Sequence, residues 1–351
     1  MTKIKKTGRI LEADLRILEL LYKFRALSTS QVFQLSNYSQ KYIYEKLSTL
    51  RKKGYIITAP IKGSYLLGQT RQGNYHRLGE RGIRLLKENG FNTVLRADSL
   101  RVRRERLPYI LSGHDFVIPL IKQGWIYKDS REVKRLYNLN RGDILHGTLT
   151  TPDKTKEYLI YIMLQSVQSK TLRKIKSEIK RIPVESAILI ARGKKSFDSV
   201  ITNFTDASDK LIVGGSLKVM PLQFAKTYLG ISSDITKNHQ YFLKQLGINI
   251  IGPYRDKNTF GVNIDFDYLV EYKGEEMFFM DLLDNDLMKI FSICEYRQEL
   301  YNRIGRRVLV LTSPSEIHKR MHEALLSSIQ HITYLPVNVN SVISFANQIL
   351  F

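Results

Sequence analysis

Residues 111–351 carry one order of hydrophobic segments twice, and this repeat limits the folds that most of the chain can adopt. A helical segment opens near His114 and another near His239, LNRGDILHGTL matches GVNIDFDYLVEY, and KEYLIYIMLQS matches EEMFFMDLLDN. Near Pro221 and again near Pro336, a strand, a proline and a helix follow one another. We therefore predict an internal duplication in which each copy is a small mixed α/β unit with a central sheet.

The order of elements in each copy resembles the restriction-endonuclease-like core, whose signature is an Asp on one strand and (D/E)-x-K on the next. Carboxylates of this kind hold divalent cations against a scissile phosphate, and the lysine positions or deprotonates the attacking water. In the second copy Asp265 and Asp267 lie on NIDFDYLVEY, and Asp281 lies on MFFMDLL. Pairing of these strands would bring two or three of the aspartates together. The candidate catalytic residues, and the candidate ligands for Mg²⁺ or Mn²⁺, are therefore Asp265, Asp267 and Asp281.

Both copies depart from this signature. In the second copy Leu283 stands where the signature has lysine, and the nearest lysine, Lys289, lies in the next helix. Either the signature lysine has migrated to that helix or it has been lost, and loss is the commoner case. In the first copy Asp143 matches the first aspartate, but Ile162 stands at the position of Asp281. We therefore expect the first copy to lack nuclease chemistry, and we favour a non-catalytic role for the second. Carboxylates forced together repel one another unless a cation joins them, which is the reason to suspect a metal in the second copy.

The first 95 residues follow a different pattern. ADLRILELLYKF has apolar residues at helical spacing, Ser28 or Thr29 can cap a short second helix, and a third helix runs from Ser39 to Gly54. Strand-like segments and a further helix follow. Three helices, a hairpin and a helix form the layout of winged-helix DNA-binding domains. The residues of the third helix that we expect to face inward are Ile43, Leu47 and Leu50.

In winged-helix domains the third helix enters the major groove and the hairpin tip reaches flanking phosphates. This geometry assigns base-edge contacts to the opposite face of the helix and backbone contacts to its end. The candidate DNA-binding residues are Lys41, Tyr44 and Ser48 for the base edges, Arg51 and Lys52 for the backbone, and Arg71, Gln72 and Asn74 in the wing.

The distribution of charge supports a nucleic-acid partner. Residues 1–110 contain 23 Lys and Arg against 8 Asp and Glu, a net charge of +15. Residues 111–235 have a net charge of +8, and residues 236–351 have a net charge of −1. Cations concentrated in one segment suit a surface that lies on phosphates and releases counterions. RNA binding or an adaptor role stays open, because a basic segment alone does not distinguish DNA from RNA.

Other features narrow the class of protein. No apolar run approaches the roughly 18–20 residues that span a bilayer, and the first residues lack an apolar signal core. The single cysteine, Cys294, excludes an internal disulfide and a cysteine-based zinc site. We therefore expect a cytoplasmic protein without a membrane partner. His318 and His322 stand four residues apart on a predicted helix, where we expect a solvated face rather than a metal site.

Two further motifs are YHRLGERGIRLL, with Tyr75, Leu78 and Gly82, and DFDYLVEYKGEEMFFMDLLDND, with Asp267, Asp281 and Asp284. On these residues the chain resembles the replication-relaxation family of plasmid and mobile-element proteins. Gly79 stands where the family usually has threonine. The resemblance implies DNA binding on a mobile element, in replication initiation, conjugative processing or their control.

We predict an α/β (α+β) protein with an N-terminal winged helix and two tandem restriction-endonuclease-like mixed α/β units. The predicted parts are the winged helix at 1–95, a basic helical linker at 96–110, and α/β units at 111–230 and 231–351. The expected function is sequence-selective double-stranded DNA binding for a plasmid, phage or mobile element, in replication initiation or its transcriptional control. We expect a homodimer that docks replication or transcription proteins and needs no cofactor. The alternative is a Mg²⁺- or Mn²⁺-dependent DNA nicking endonuclease.

Overall fold

The computed structural model describes residues 10–61, 73–164, 167–237, 239–257, 263–313 and 316–337. Helices and sheets are both present, so the predicted α/β fold class is confirmed. The chain divides into two compact units, Met1–Lys122 and Gln123–Phe351. Within the described ranges, no helix is both long and apolar enough to cross a membrane.

The first unit contains helices and a small antiparallel sheet with the strand order β1-β3-β2. Its elements in chain order are α1 (Glu12–Phe24), β1 (Leu27–Ser28), α2 (Thr29–Leu35), α3 (Gln40–Lys52), β2 (Ile56–Pro60), β3 (Asn74–Leu78), α4 (Glu80–Glu88), α5 (Ala97–Leu100) and α6 (Leu107–Lys122).

Local sequence signals define α2 and α3 as predicted. The Ser28 side chain accepts the Gln31 backbone N–H and caps α2, and the Ser39 side chain accepts the Tyr42 backbone N–H and caps α3. Helix α3 ends at Lys52, and Gly54 follows with a φ of 74°, a conformation that favours glycine. The residues predicted to face inward are buried, namely Ile43, Leu47 and Leu50.

Strand β3 lies between the other two strands and leads directly into α4. Gly82 in α4 packs against the turn before β2, where a Cβ atom would clash with the carbonyl oxygen of Tyr55. The segment that would complete the wing, including Arg71 and Gln72, lies outside the described residues.

Helix α6 packs within the first unit, although the sequence suggested that most of it opens the first α/β unit. The buried Gln31 side chain donates from Nε2 to the Leu111 carbonyl oxygen and to Asp115 Oδ1, each at 2.7 Å. His114 Nδ1 lies 3.1 Å from the Ala26 carbonyl oxygen. These contacts fix α6 against α2 and β1.

The second unit contains two five-stranded sheets. Its elements in chain order are β4 (Ile126–Asp129), α7 (Ser130–Leu136), β5 (Gly147–Thr150), β6 (Glu157–Met163), α8 (Ser169–Arg181), β7 (Ser186–Ala191), α9 (Lys194–Thr205), β8 (Leu217–Pro221), α10 (Leu222–Lys237), α11 (His239–Gln245), β9 (Ile248–Lys257), β10 (Asn263–Tyr272), β11 (Glu275–Asp281), α12 (Leu287–Glu295), α13 (Gln298–Ile304), β12 (Val308–Thr312), α14 (Glu316–Leu325) and β13 (Ile332–Pro336).

The two sheets have the same topology. Strands β4 to β8 lie side by side in chain order in one sheet, and β9 to β13 do so in the other. In each sheet the first two pairings are antiparallel and the last two are parallel. A duplicated unit would have this arrangement, and the duplication itself stays a prediction.

The segment between β11 and α12 joins the two sheets. The Val219 N–H of β8 donates to the Asn285 carbonyl oxygen at 3.2 Å, and the Leu217 N–H donates to Asp286 Oδ1 at 2.9 Å. Lys218 forms an isolated antiparallel bridge with Asp286. Apolar side chains of both sheets belong to one buried core cluster. The sheets are therefore packed as one body.

Asn285 is central to this junction. It is fully buried and has a φ of 52°, and its Nδ2 donates to the Val219 carbonyl oxygen at 2.5 Å. Its Oδ1 lies 2.9 Å from His322 Nε2. Both contacts need the amide, because Nδ2 is the donor and Oδ1 is the acceptor of a ring N–H.

We predict that Asn285→Ala lowers the free energy of unfolding by about 3 kcal/mol, because it leaves a buried carbonyl and a buried imidazole nitrogen without partners. Urea denaturation of the full chain measures the loss. Asn249→Ala, which changes an exposed asparagine of β9, is the matched control and should be close to neutral. Equal stability of Asn285→Ala and the wild type would show that this side chain does not hold the junction.

Candidate functional site

The outer face of α3 is the first candidate site. Tyr44 is 55% exposed, which is high for an aromatic side chain and leaves its ring available for contact. The other predicted contact residues of α3 are exposed or half-buried, namely Lys41, Ser48, Arg51 and Lys52. Asn74, at the start of β3, is also exposed. The structure therefore brings the described candidates to the surface of the first unit.

One lysine of α3 is directed inward. Lys46 Nζ lies 3.0 Å from Asp14 Oδ1, and both side chains are largely buried. Asp14 Oδ2 also accepts the Leu11 N–H at 3.1 Å, at the start of α1. This ion pair ties α3 to α1, so that the charge of Lys46 is neutralised within the unit.

His76 holds the sheet of the first unit to α2. Its Nε2 lies 2.9 Å from Thr29 Oγ1, and its Nδ1 lies 2.9 Å from Thr58 Oγ1. Burial, followed by the charge of Arg51, lowers the pKa of His76 to about 4. The neutral imidazole can donate from one nitrogen and accept at the other, which suits two hydroxyl partners. Sequence reasoning missed this residue, because its partners are distant in the chain.

The second candidate site lies in the second sheet and consists of Asp267 and the acidic segment 281–286. Asp267 lies on β10, and Asp281 is the last residue of β11, its antiparallel neighbour. The Asp281 N–H donates to Asp267 Oδ2 at 2.8 Å. Asp281 Oδ1 accepts the Leu283 N–H at 2.8 Å. The strands therefore bring two of the three candidate aspartates together.

Asp265 lies two residues before Asp267 on β10 and is exposed. The pairing of β10 with β9 is irregular between Phe266 and Leu269. Ser292 Oγ donates to the Asp265 carbonyl oxygen at 3.0 Å. Within the described residues, no group of three or more His, Cys, Asp or Glu side chains is placed to hold a metal ion.

Lys289 reaches the aspartate pair from the first turn of α12. Its Nζ lies 2.7 Å from Asp267 Oδ2 and 3.0 Å from the Asp281 carbonyl oxygen. Burial lowers the pKa of Lys289, but the charges of Asp267, Asp284 and Asp281 outweigh it, so that the pKa is raised. The sequence identified Lys289 only as the nearest lysine, and the fold places it at the carboxylates.

A histidine contacts the other side of the pair. His239, at the start of α11, places Nε2 at 3.4 Å from Asp281 Oδ2 and Nδ1 at 3.4 Å from the Tyr268 hydroxyl oxygen. No motif identified His239 as a site residue, since the sequence showed it only as a marker of the repeat.

The first sheet supplies a second ammonium group to the acidic segment. Lys218 Nζ of β8 lies 2.7 Å from Asp284 Oδ2. Burial raises the pKa of Asp284, but the charge of Lys218 outweighs it and the pKa is lowered. Burial, followed by the charge of Asp284, raises the pKa of Asp286. Sequence reasoning missed Lys218 because no local pattern connects β8 with this segment.

Strand register identifies the matching residues of the first sheet. Pro221 ends the last strand of the first sheet, and Pro336 ends the last strand of the second. When residues are counted across the paired strands from these two prolines, Ile162 of the first sheet matches Asp281 of the second, as predicted. The same register matches His146 with Asp267. The Ile162 N–H donates to His146 Nδ1 at 3.2 Å, as the Asp281 N–H donates to Asp267.

The predicted match of Asp143 with Asp265 therefore differs from the register by one residue. Asp143 lies in the loop before β5 rather than on a strand, and its Oδ2 accepts from Arg181 Nη2 at 2.7 Å. The first sheet has a histidine and an isoleucine where the second has two aspartates.

His318 and His322 of α14 are both buried, so the predicted solvated face is wrong. His322 Nδ1 lies 2.7 Å from Thr312 Oγ1, and the ring of His318 contacts those of Phe197 and Phe224. Burial lowers the pKa of His318 to about 4 and that of His322 to about 3. These histidines are parts of the core of the second unit.

No protein-family model matches the chain, and no curated protein or solved structure matches it either. The resemblance to the replication-relaxation family therefore stays a prediction from the sequence.

We predict that His76 stays neutral in the folded chain down to about pH 4, where an NMR titration of its ring protons should show the transition. Because an unfolded histidine takes up its proton near pH 6.5, the stability that neutral His76 provides is complete above that pH. It is lost as the pH falls from about 6.5 towards 4. His76→Gln should therefore make unfolding less dependent on pH in this range, and a ring that titrates near 6.5 would contradict the prediction.

Proposed function

We propose that this chain is a sequence-selective double-stranded DNA-binding protein of a plasmid, phage or mobile element, acting in replication initiation or its transcriptional control. The observation that carries the proposal is that α3 has one buried apolar face and one exposed polar face. Its inner face is fully packed, and its outer face presents Lys41, Tyr44 and Ser48 to solvent. A helix held in this way can enter a major groove about 12 Å wide without disturbing the core behind it.

The order of elements around α3 supports the same proposal. Three helices precede the antiparallel pair β2 and β3, and α4 follows, which is the order of a winged helix. In that arrangement the connection between β2 and β3 is the wing, and the exposed Asn74 stands at its exit. We therefore propose that the first unit is a winged helix.

The cations of α3 divide into two groups. Lys46 is neutralised by Asp14, whereas Lys41, Arg51 and Lys52 have no ion pair in the described part of the chain. The unpaired cations are free to meet phosphates, and each phosphate contact releases counterions. We assign Arg51 and Lys52 to the backbone because they lie in the last turn of the helix.

We assign a non-catalytic role to the two α/β sheets, which would support dimerisation or the docking of replication or transcription proteins in the cytoplasm. A homodimer would place two copies of α3 on paired half-sites. Gel filtration with light scattering, in the absence and presence of DNA, tests this part of the proposal.

We predict that Lys41→Ala or Tyr44→Ala weakens binding to the best DNA site about tenfold and leaves random DNA less affected, because one good base contact contributes about 1–3 kcal/mol. The site is first selected from a random duplex library by the full chain, and affinities are then measured by fluorescence anisotropy. Similar losses on both DNAs would contradict the assignment to base edges.

Arg51→Ala should weaken binding to all duplexes and reduce the slope of log K against log salt by about 0.9. Lys87→Ala is the matched control, because Lys87 is an exposed lysine on α4 of the same unit and is outside the proposed contact surface. If no variant of α3 changes affinity, the proposal is wrong. If Lys87→Ala has the same effect as Arg51→Ala, binding depends on net charge alone.

The competing hypothesis is a Mg²⁺- or Mn²⁺-dependent nicking endonuclease that uses Asp265, Asp267 and Asp281. We expect no conversion of supercoiled plasmid to open circles by the wild-type chain with either metal, beyond the level of an Asp281→Asn variant. Agarose gel electrophoresis measures the conversion. Nicking by the wild type that Asp281→Asn abolishes would replace the non-catalytic role with the enzyme.

A further inference from the structure

The aspartate pair of the second sheet has the ligand types that suit a divalent cation. Mg²⁺, Mn²⁺ and Ca²⁺ bind carboxylate and carbonyl oxygens, and the site offers Asp267 Oδ2 and the Asp281 carbonyl oxygen. Both of these oxygens already face a cation of the chain, because each lies within 3.0 Å of Lys289 Nζ. Asp267 Oδ2 also accepts the Asp281 N–H at 2.8 Å. The residues present therefore do not fit a divalent ion.

We infer that the Lys289 ammonium group is the resident cation of this site, and that it replaces a divalent metal ion. Its contact of 2.7 Å with Asp267 is normal for a charged N–H···O bond, whereas Mg²⁺ binds oxygen at about 2.1 Å. Dehydration of an ammonium group also costs less than dehydration of Mg²⁺, which gives up its water shell reluctantly. The wild-type chain then binds neither Mg²⁺ nor Mn²⁺ at this pair.

The position of Lys289 in its helix supports the inference. It is the third residue of α12, where the partial positive charge of a helix N-terminus disfavours a lysine. The helix start itself is satisfied by Asp286, whose Oδ1 accepts the Met288 N–H at 3.0 Å. The stability of α12 therefore does not explain why a lysine stands at this position, whereas its contacts with Asp267 and Asp281 do explain it.

The neighbouring carboxylates, those of Asp281 and Asp284, also have partners within the chain. Asp281 Oδ1 accepts a backbone N–H, Asp281 Oδ2 lies 3.4 Å from His239 Nε2, and Asp284 pairs with Lys218. A divalent ion added to this site would lie close to the Lys289 ammonium group, and like charges repel strongly where burial limits screening. Removal of Lys289 would leave the carboxylates in excess and open the place of the ammonium.

This inference does not depend on DNA binding, and metal binding tests it directly. The full chain is titrated with Mn²⁺, and free Mn²⁺ is followed by electron paramagnetic resonance. We expect the wild type to bind no more Mn²⁺ than Asp267→Asn. We expect Lys289→Ala to bind Mn²⁺ at least about tenfold more tightly than the wild type, since a cation is then needed between the carboxylates.

Two variants make the result specific. Lys289→Ala combined with Asp267→Asn should lose the gained site, and Lys244→Ala, which removes an exposed lysine of α11, should gain none. The midpoint of thermal unfolding gives a second readout, because Mn²⁺ should raise it for Lys289→Ala and not for the wild type.

Three results would overturn the inference: Mn²⁺ binding by the wild type that Asp267→Asn removes, no gain in Lys289→Ala, or an equal gain in Lys244→Ala. If Lys289→Ala does not fold, Lys289→Gln is measured in the same way, because it keeps polar contacts and removes the charge. A failure of the DNA-binding proposal would leave these metal titrations unchanged.

Discussion

The carboxylates from the last residue of β11 to the start of α12 need compensating partners, and the arrangement of the second unit depends on this requirement. Asp281, Asp284 and Asp286 are all largely buried. A buried carboxylate without a partner is costly enough that it would take up a proton or unfold the segment around it. Backbone N–H groups meet Asp281 and Asp286, and Lys218 meets Asp284. Because Lys218 belongs to the other sheet, the demand for a counter-charge fixes the position of one sheet on the other.

This requirement explains why the two sheets form one compact unit. A division of the chain at residue 230 would separate Lys218 from Asp284 and the Val219 backbone from Asn285. It would also divide a core to which both sheets contribute. The same topology in both sheets favours two similar halves, but their different residues at the matched positions give them different roles. The first sheet provides a cation and an edge strand, and the second provides the acids.

The features that the sequence predicted are those set by neighbours in the chain. The inner face of α3 follows from helical spacing, its start follows from Ser39, and the contact of Asp267 with Asp281 follows from a short turn between two strands. Lys218, His76 and His239 could not be recognised, since each meets its partners only after distant segments pack together. The helix of His318 and His322 was misjudged because a polar spacing on a helix does not reveal which neighbours cover it.

Some lysines and arginines of this chain pair with carboxylates inside the fold, and others face solvent. This difference determines how much of the positive charge can act on a partner. The formal net charge of +22 counts every lysine and arginine equally. Lys46, Lys218 and Lys289 are each paired with a carboxylate inside the fold, so their fields are largely cancelled beyond the protein surface. Attraction of a polyanion depends on the remaining cations, such as Lys41 and Arg51 on the open face of α3. The internal ion pairs stabilise each of the two units, whereas the exposed cations of α3 keep their charge at the surface of the first unit.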